Sequence, residues 1–266
     1  MLHAWIVGQG TGISSPMAMN VLILSVLQQL RAHLPAEAKV CCLGYPDVVV
    51  SEEQARKILA PEAAARLTYR PDSAQIIAWH QLQSCLDRVI DAQSLFDAMG
   101  MRFTAIDLVA SRGCERIVDL NQPLAPDLVG AFDLVLDAGT MEHCFNVGQA
   151  VRNIIDMARV GGFVIHENPM SMVNHGFFNF SPTFYHDFYV QNGHQLVSPI
   201  YGVSANGIDV QSEQLHSTGR QAMNVANTMI LCVARKNHDR PPIWPTQTKY
   251  LQNPTLKAGG KKAPDA

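Results

Sequence analysis

One stretch limits the fold of this chain more than any other. Residues 132–169 read FDLVLDAGTMEHCFNVGQAVRNIIDMARVGGFVIHENP. An apolar run, Phe132–Asp137, leads through a polar turn into a segment with apolar residues at helical spacing, about Asn146 to Arg159. A Gly-Gly turn and a second apolar run, Phe163–His166, follow. Two short apolar runs joined by a helix form a β-α-β unit, the connection that parallel strands require. Both runs end in polar groups: Asp137 to Asn146 after the first, His166 to Pro169 after the second. Ligands of open α/β sheets bind beyond the carboxyl ends of the strands. These two segments are therefore expected to border one crevice.

The rest of the chain repeats the alternation. Asn20 to His33 is helix-patterned and stops before Pro35. Lys39–Leu43 reads as a first strand, closed by Gly44-Tyr45-Pro46-Asp47. Ser51 with Gln54 forms a capping-box signal for a helix through Leu59. Pro61 to Leu67 and Ser73 to Met99 are helix-patterned; Met101–Asp107 and Arg116–Val118 read as strands two and three. Thr183 to Gln191 reads as a helix closed by Asn192-Gly193. Gln195–Tyr201 and Thr228–Ala234 read as the last two strands, an antiparallel hairpin with a long excursion between them. The expected fold is α/β: a doubly wound, seven-stranded sheet, mostly parallel, with an antiparallel last strand. Residues 1–38 form an arm and a helix, 39–236 the main domain, and 237–266 an extended tail whose end is expected to be disordered. GQGTG at residues 8–12 looks like a phosphate loop, but no Lys-Ser or Lys-Thr follows at the required spacing.

Composition narrows the function classes. The chain has 266 residues, 47% of them apolar and 16% charged, with a net charge of −3. Nothing in that balance points to a nucleic-acid or membrane surface. The apolar run Val21–Leu27 is too short to span a bilayer. Six cysteines show no C-x-x-C pair; Cys41 and Cys42, inside an apolar run, read as reduced core thiols of a cytoplasmic protein. A small molecule is the expected partner, and a homodimer is left open.

The segment FDLVLDAGTMEHCFN…ARVGGFVIHENP resembles the fourth strand, following helix and fifth strand of class I S-adenosylmethionine-dependent methyltransferases. The resemblance extends more weakly from about Lys39 to Ala234 and implies a Rossmann-like sheet. It is nearest to a bacterial branch carrying GT-x-EH-x-FN, NHGF-x-NFSP and P-x-Q-x-KY. These stand here as Gly139–Asn146, Asn174–Pro182 and Pro245–Tyr250. The resemblance implies S-adenosylmethionine as cofactor. It places Gly44 and Tyr45 in the loop after strand one, where the family's usual G-x-G-x-G is reduced to a single glycine. It implies that Asp107, with Leu108 beside it, accepts the ribose hydroxyl protons. Asp119, Leu120 and Asn121 take the adenine, and Asp137, Ala138, Gly139 and His143 take the methionine moiety.

Methyl transfer to a hydroxyl needs a base, and histidine titrates near neutral pH. His143 is the first candidate, then His175 and His166, with His186 nearby in sequence. Glu142, Asn174, Phe178, Asn179 and Tyr185 are expected to contact the acceptor. No spacing such as H-E-x-x-H marks a metal site, so no metal is expected. The reading is therefore methyl transfer to a small polar molecule, at oxygen, with a histidine base. The alternative is a methyltransferase-like protein that binds the cofactor but is inactive or does other chemistry. A nicotinamide enzyme is disfavoured because no G-x-G-x-x-G follows strand one.

Overall fold

The computed structural model describes residues 18–222 and 226–253. The GQGTG segment and the chain end from residue 254 lie outside the described residues. Helix α1 (Val21–Leu30) precedes β1 (Ala38–Leu43). Then come α2 (Glu52–Ile58), α3 (Pro61–Ala64), α4 (Ser73–Trp79) and α5 (Ala92–Ala98). Strands β2 (Met101–Asp107), β3 (Arg116–Ile117) and β4 (Phe132–Ala138) lead to α6 (Val147–Met157) and β5 (Ala158–Pro169). The C-terminal part holds α7 (Pro182–Gln191), β6 (Gln195–Leu196), β7 (Tyr201–Asn206), β8 (Asp209–Gln214), β9 (Met229–Arg235) and α8 (Thr248–Gln252).

The strands form one sheet in the order β3-β2-β1-β4-β5-β9-β7-β8, with β6 beside β9. Strands β1 to β5 run parallel to one another; β9 runs antiparallel to β5, and β7 antiparallel to β9. Strand order reverses at β1, which lies between β2 and β4. That switch point opens a crevice above the carboxyl ends of β1 and β4.

The sheet has nine strands among the described residues, not the expected seven. The run Gln195–Tyr201 divides at Ser198-Pro199, because proline has no N–H for a ladder. The long excursion folds back as the β7–β8 hairpin, turning at Gly207 with φ +62°. The expected long helix from Ser73 to Met99 is also two helices. It breaks after His80, at Gln81 with φ +57°, and restarts where the Asp91 carboxylate accepts from the Ser94 N–H. No glycine or proline announces that break.

Both faces of the sheet are covered. Ile23, Leu24 and Leu27 of α1, with Leu95 and Phe96 of α5, pack on Val40, Cys42, Leu134 and Leu136. Val151, Ile154 and Ile155 of α6, with Tyr185 and Tyr189 of α7, pack on Cys41, Val135 and Val164. Alternate residues of β1 and β4 thus serve opposite layers, the period of two expected of a strand buried on both faces. Each such Leu or Ile contributes about 1.5–3 kcal/mol by leaving water. The expected Gly-Gly turn lies within β5 as a bulge between pairs Phe132–Ala158 and Leu134–Phe163. A Cβ on Gly162 would lie 2.9 Å from the Asp133 carbonyl oxygen, so only glycine fits. Among the described residues no helix is long and apolar enough to cross a membrane.

Candidate active site

A cavity of about 490 Å³ opens at the carboxyl ends of β1, β2 and β4. Its volume lies in the range of small-molecule sites. Gly44, Tyr45 and Asp47 line it from the β1 loop; Asp107, Leu108 and Arg112 from the β2 end; Asp119, Leu120 and Asn121 from the stretch after β3. Ala138, Gly139, Thr140 and His143 close it from the β4 end. Apart from Asp137, every residue assigned above to cofactor contact borders this one space.

Local chemistry sets each wall. Gly44 has φ +80°, its N–H donates to the Ile106 carbonyl (2.7 Å), and a Cβ on it would sit 3.7 Å from Asp107 Oδ2. The Tyr45 hydroxyl donates to Asp91 (2.8 Å), which fixes its ring at the cavity edge. Asp119 accepts from both the backbone and side-chain nitrogens of Asn121, at 2.9 Å each. These bonds hold its carboxyl below the usual range. Asn121 is itself clasped by Asn146, whose N–H donates to Asn121 Oδ1 (2.9 Å). Thr140 Oγ1 donates to the Leu43 carbonyl (2.8 Å), tying the β4 turn to β1. Arg112 pairs with Asp47 (3.1 Å) and Asp72 (3.0 Å). Thr140 and Asp47 belong to the two turns expected at the crevice, whereas Arg112 was not anticipated there. Arg112 lies in SRGCER, a stretch with neither helical nor strand period.

Beneath this floor lies a buried polar network. Asp137 is fully buried and stands in register with His166 on β5. Its Oδ1 accepts from the N–H groups of Thr140 and Met141, at 3.1 Å each. Its Oδ2 accepts from His166 Nδ1 (2.8 Å) and Asn168 Nδ2 (3.0 Å). His166 Nε2 then accepts from the Tyr189 hydroxyl (2.6 Å), and Asn168 Oδ1 accepts from Tyr185 (2.5 Å). Burial takes three of the expected contact residues, His166, Tyr185 and Asp137, away from the crevice. His166 and Tyr185 are fully buried, with every side-chain polar atom engaged, so they meet neither substrate nor solvent. Asp137 likewise holds the 138–141 turn in shape rather than touching a ligand. On the opposite face, Asn20 caps α1 and donates to both Glu167 oxygens (3.0 and 2.9 Å). Burial pushes the Glu167 carboxyl up to about 8, against the pull of Asn20.

Glu142 joins the network to the cavity. It lies in the 3-10 turn Met141–His143 and is fully buried. Its Oε2 accepts from Asn168 (3.0 Å). Burial, with the charge of Asp137, raises its carboxyl to about 8. His143, with 49% of its side chain exposed, and His175 stand beside it, their ring centres 5.4 Å apart. Burial lowers both imidazoles below the usual histidine value, opposed at His143 by Asp137 and reinforced at His175 by His143.

The other residues assigned to acceptor contact lie elsewhere. Phe178 and Asn179 line a second cavity of about 390 Å³ with Val151, Phe188 and Trp244. Asn179 is bonded to the Met172 backbone in both directions (2.8 and 3.1 Å), a loop clamp rather than a binding group. Asn174 is exposed at the loop tip with φ +60°. His186 contacts Asp187 (2.9 Å) on α7 and is not among the residues lining the crevice.

No family model matches the chain, and no curated protein does. Solved structures with a similar course exist. The CMeT domain of the citrinin polyketide synthase is 12% identical over 82% of this chain, with a TM-score of 0.45. This chain spans about half of that structure, 52%. The N-methyltransferase NodS of Bradyrhizobium japonicum, in complex with S-adenosylhomocysteine, is 14% identical over 82% of this chain and 84% of its own, with a TM-score of 0.40. The 1,6-didemethyltoxoflavin-N1-methyltransferase of Burkholderia thailandensis, also with S-adenosylhomocysteine bound, is 14% identical over 82% and 78%, with a TM-score of 0.33.

Proposed function

We propose that this chain transfers a methyl group from S-adenosylmethionine to a small polar acceptor, at oxygen. The observation that carries the reading is the crevice at the β1/β4 switch point, bordered by the carboxylates of Asp47, Asp107 and Asp119. The one arginine lining it among the described residues, Arg112, is already paired with two aspartates. An acidic crevice favours a cationic ligand and opposes a dinucleotide pyrophosphate. The residues present therefore fit the sulfonium and ammonium groups of S-adenosylmethionine.

S-adenosylmethionine, when bound, supplies an electrophilic methyl group. Asp107 accepts from the ribose hydroxyls, and the Asp119–Asn121 turn meets the adenine. Gly44, Tyr45 and Ala138–Gly139 border the methionine part. Alignment of donor and acceptor then supplies much of the rate. The acceptor lies beside the Glu142–His143–His175 cluster, where its proton is removed. His143, at the cavity wall, is the side chain through which the cluster meets the acceptor. A second reading, cofactor binding without methyl transfer, is favoured by the single glycine of the Gly44–Asp47 loop.

Calorimetric titration with S-adenosylmethionine and with NADH tests the reading. Binding of the first and not the second is expected. Asp107→Ala should weaken the affinity more than tenfold, about 1.4 kcal/mol. Unchanged affinity in the folded variant would remove Asp107 from the site.

A further inference from the structure

Two of the sequence motifs converge on one point. Glu142 and His143 belong to GTMEHCFN, and His175 belongs to NHGF. His143 Nε2 lies 3.8 Å and His175 Nε2 3.7 Å from Glu142 Oε1, and the three atoms are within 4.8 Å of one another. These distances are too long for hydrogen bonds. Glu142 Oε1 and His175 Nε2 are buried, and neither has a hydrogen-bond partner among the described residues. Buried polar atoms left in that state call for an occupant.

We propose that Glu142, His143 and His175 bind a divalent first-row transition-metal ion such as Zn²⁺, through Oε1 and the two Nε2 atoms. Two imidazoles and one carboxylate are a donor set for zinc or non-haem iron. Metal–ligand bonds of about 2.0–2.2 Å place tetrahedral ligand atoms roughly 3.3 Å apart. The two Glu–His separations need to close by only about 0.4–0.5 Å, and the His–His pair starts within 4.8 Å. Three protein ligands leave a position open, as in catalytic zinc sites. His143 borders the crevice, so that position faces it.

The cluster is held ready by backbone. The Phe177 N–H donates to the Glu142 carbonyl (2.9 Å). A Cβ on Gly176 would lie 2.8 Å from both Cγ and the carbonyl oxygen of Glu142. The NHGF loop therefore lies flush on the Glu142 turn and sets His175 against the carboxylate. Asn168 bonds the other Glu142 oxygen, the outer support that metal ligands require. Asp137 is no ligand, because both its oxygens are filled. Metal binding stands independently of the methyl donor. Its use, acidifying an acceptor hydroxyl at the open position, rests on the methyl-transfer reading.

The test is calorimetric titration of chelator-stripped, tag-free protein with Zn²⁺, and separately with S-adenosylhomocysteine. One Zn²⁺ per chain with micromolar or tighter affinity is expected. Affinity should fall by about a hundredfold or more in His175→Ala and in Glu142→Gln. His175 stands on a loop, so its variant remains informative if Glu142→Gln unfolds; circular dichroism checks both. Failure of the parent to bind Zn²⁺, or equal binding by folded His175→Ala, overturns the metal site. If S-adenosylhomocysteine binds and Zn²⁺ does not, the metal proposal fails and the methyl-transfer reading stands. The opposite pattern retains the metal site and removes the methyl donor.

Discussion

His143→Ala is expected to lower turnover by about 10²–10⁴-fold, whether its imidazole takes the acceptor proton itself or holds the metal ion that acidifies the acceptor. Affinity for S-adenosylmethionine should stay within a few-fold of the parent. The reasons are structural. His143 is half exposed at the cavity wall and makes no side-chain hydrogen bond within the described residues; its backbone N–H alone is tied, to the Thr140 carbonyl (3.0 Å). Truncating it removes no support from the fold, while the ribose, adenine and methionine contacts assigned above remain. S-adenosylhomocysteine release, measured across a panel of small hydroxyl and amide acceptors, gives the rate; calorimetry gives the affinity. Equal rates in variant and parent would take His143 out of the chemistry.

Asp137→Ala should act on stability instead. The substitution leaves four donors without an acceptor: the N–H groups of Thr140 and Met141, His166 Nδ1 and Asn168 Nδ2. Removing one partner from a buried charged network costs about 3–5 kcal/mol. For a chain of this size that lowers Tm by roughly 6–20 °C. Asp137→Asn should cost less, because its oxygen still accepts from the two backbone groups and His166 can shift its ring proton to Nε2. Thermal unfolding followed by circular dichroism ranks the three proteins. An alanine variant as stable as the parent would mean that the network does not support the 138–141 turn.

The sequence carried the sheet more clearly than the site. Residues 132–169 announce β4, α6 and β5 because both faces of those strands are buried, and buried strands read as unbroken apolar runs. The crevice was legible for a related reason: the polar residue ending each strand falls at the switch point. What could not be read was direction within the crevice. Asp137 and His143 lie six positions apart in one stretch, yet the first is fully buried and the second half exposed. Only the register of β4 against β5 turns Asp137 toward His166. Tyr185 and Asn179 looked like acceptor contacts because aromatic and amide residues crowd residues 170–186. In the fold, one completes the buried network and the other clamps its own loop. The approach of His175 to Glu142 links segments more than thirty residues apart, and no local pattern encodes it.

A crystal structure of the complex with S-adenosylhomocysteine shows whether the crevice above β1, β2 and β4 holds the methyl donor. Ribose hydroxyls on Asp107, adenine against Asp119–Asn121 and the sulfur beside Ala138–Gly139, facing His143, are the expected result. Ligand in the Phe178–Trp244 cavity instead, or a crevice that stays empty at saturating S-adenosylhomocysteine, would contradict it.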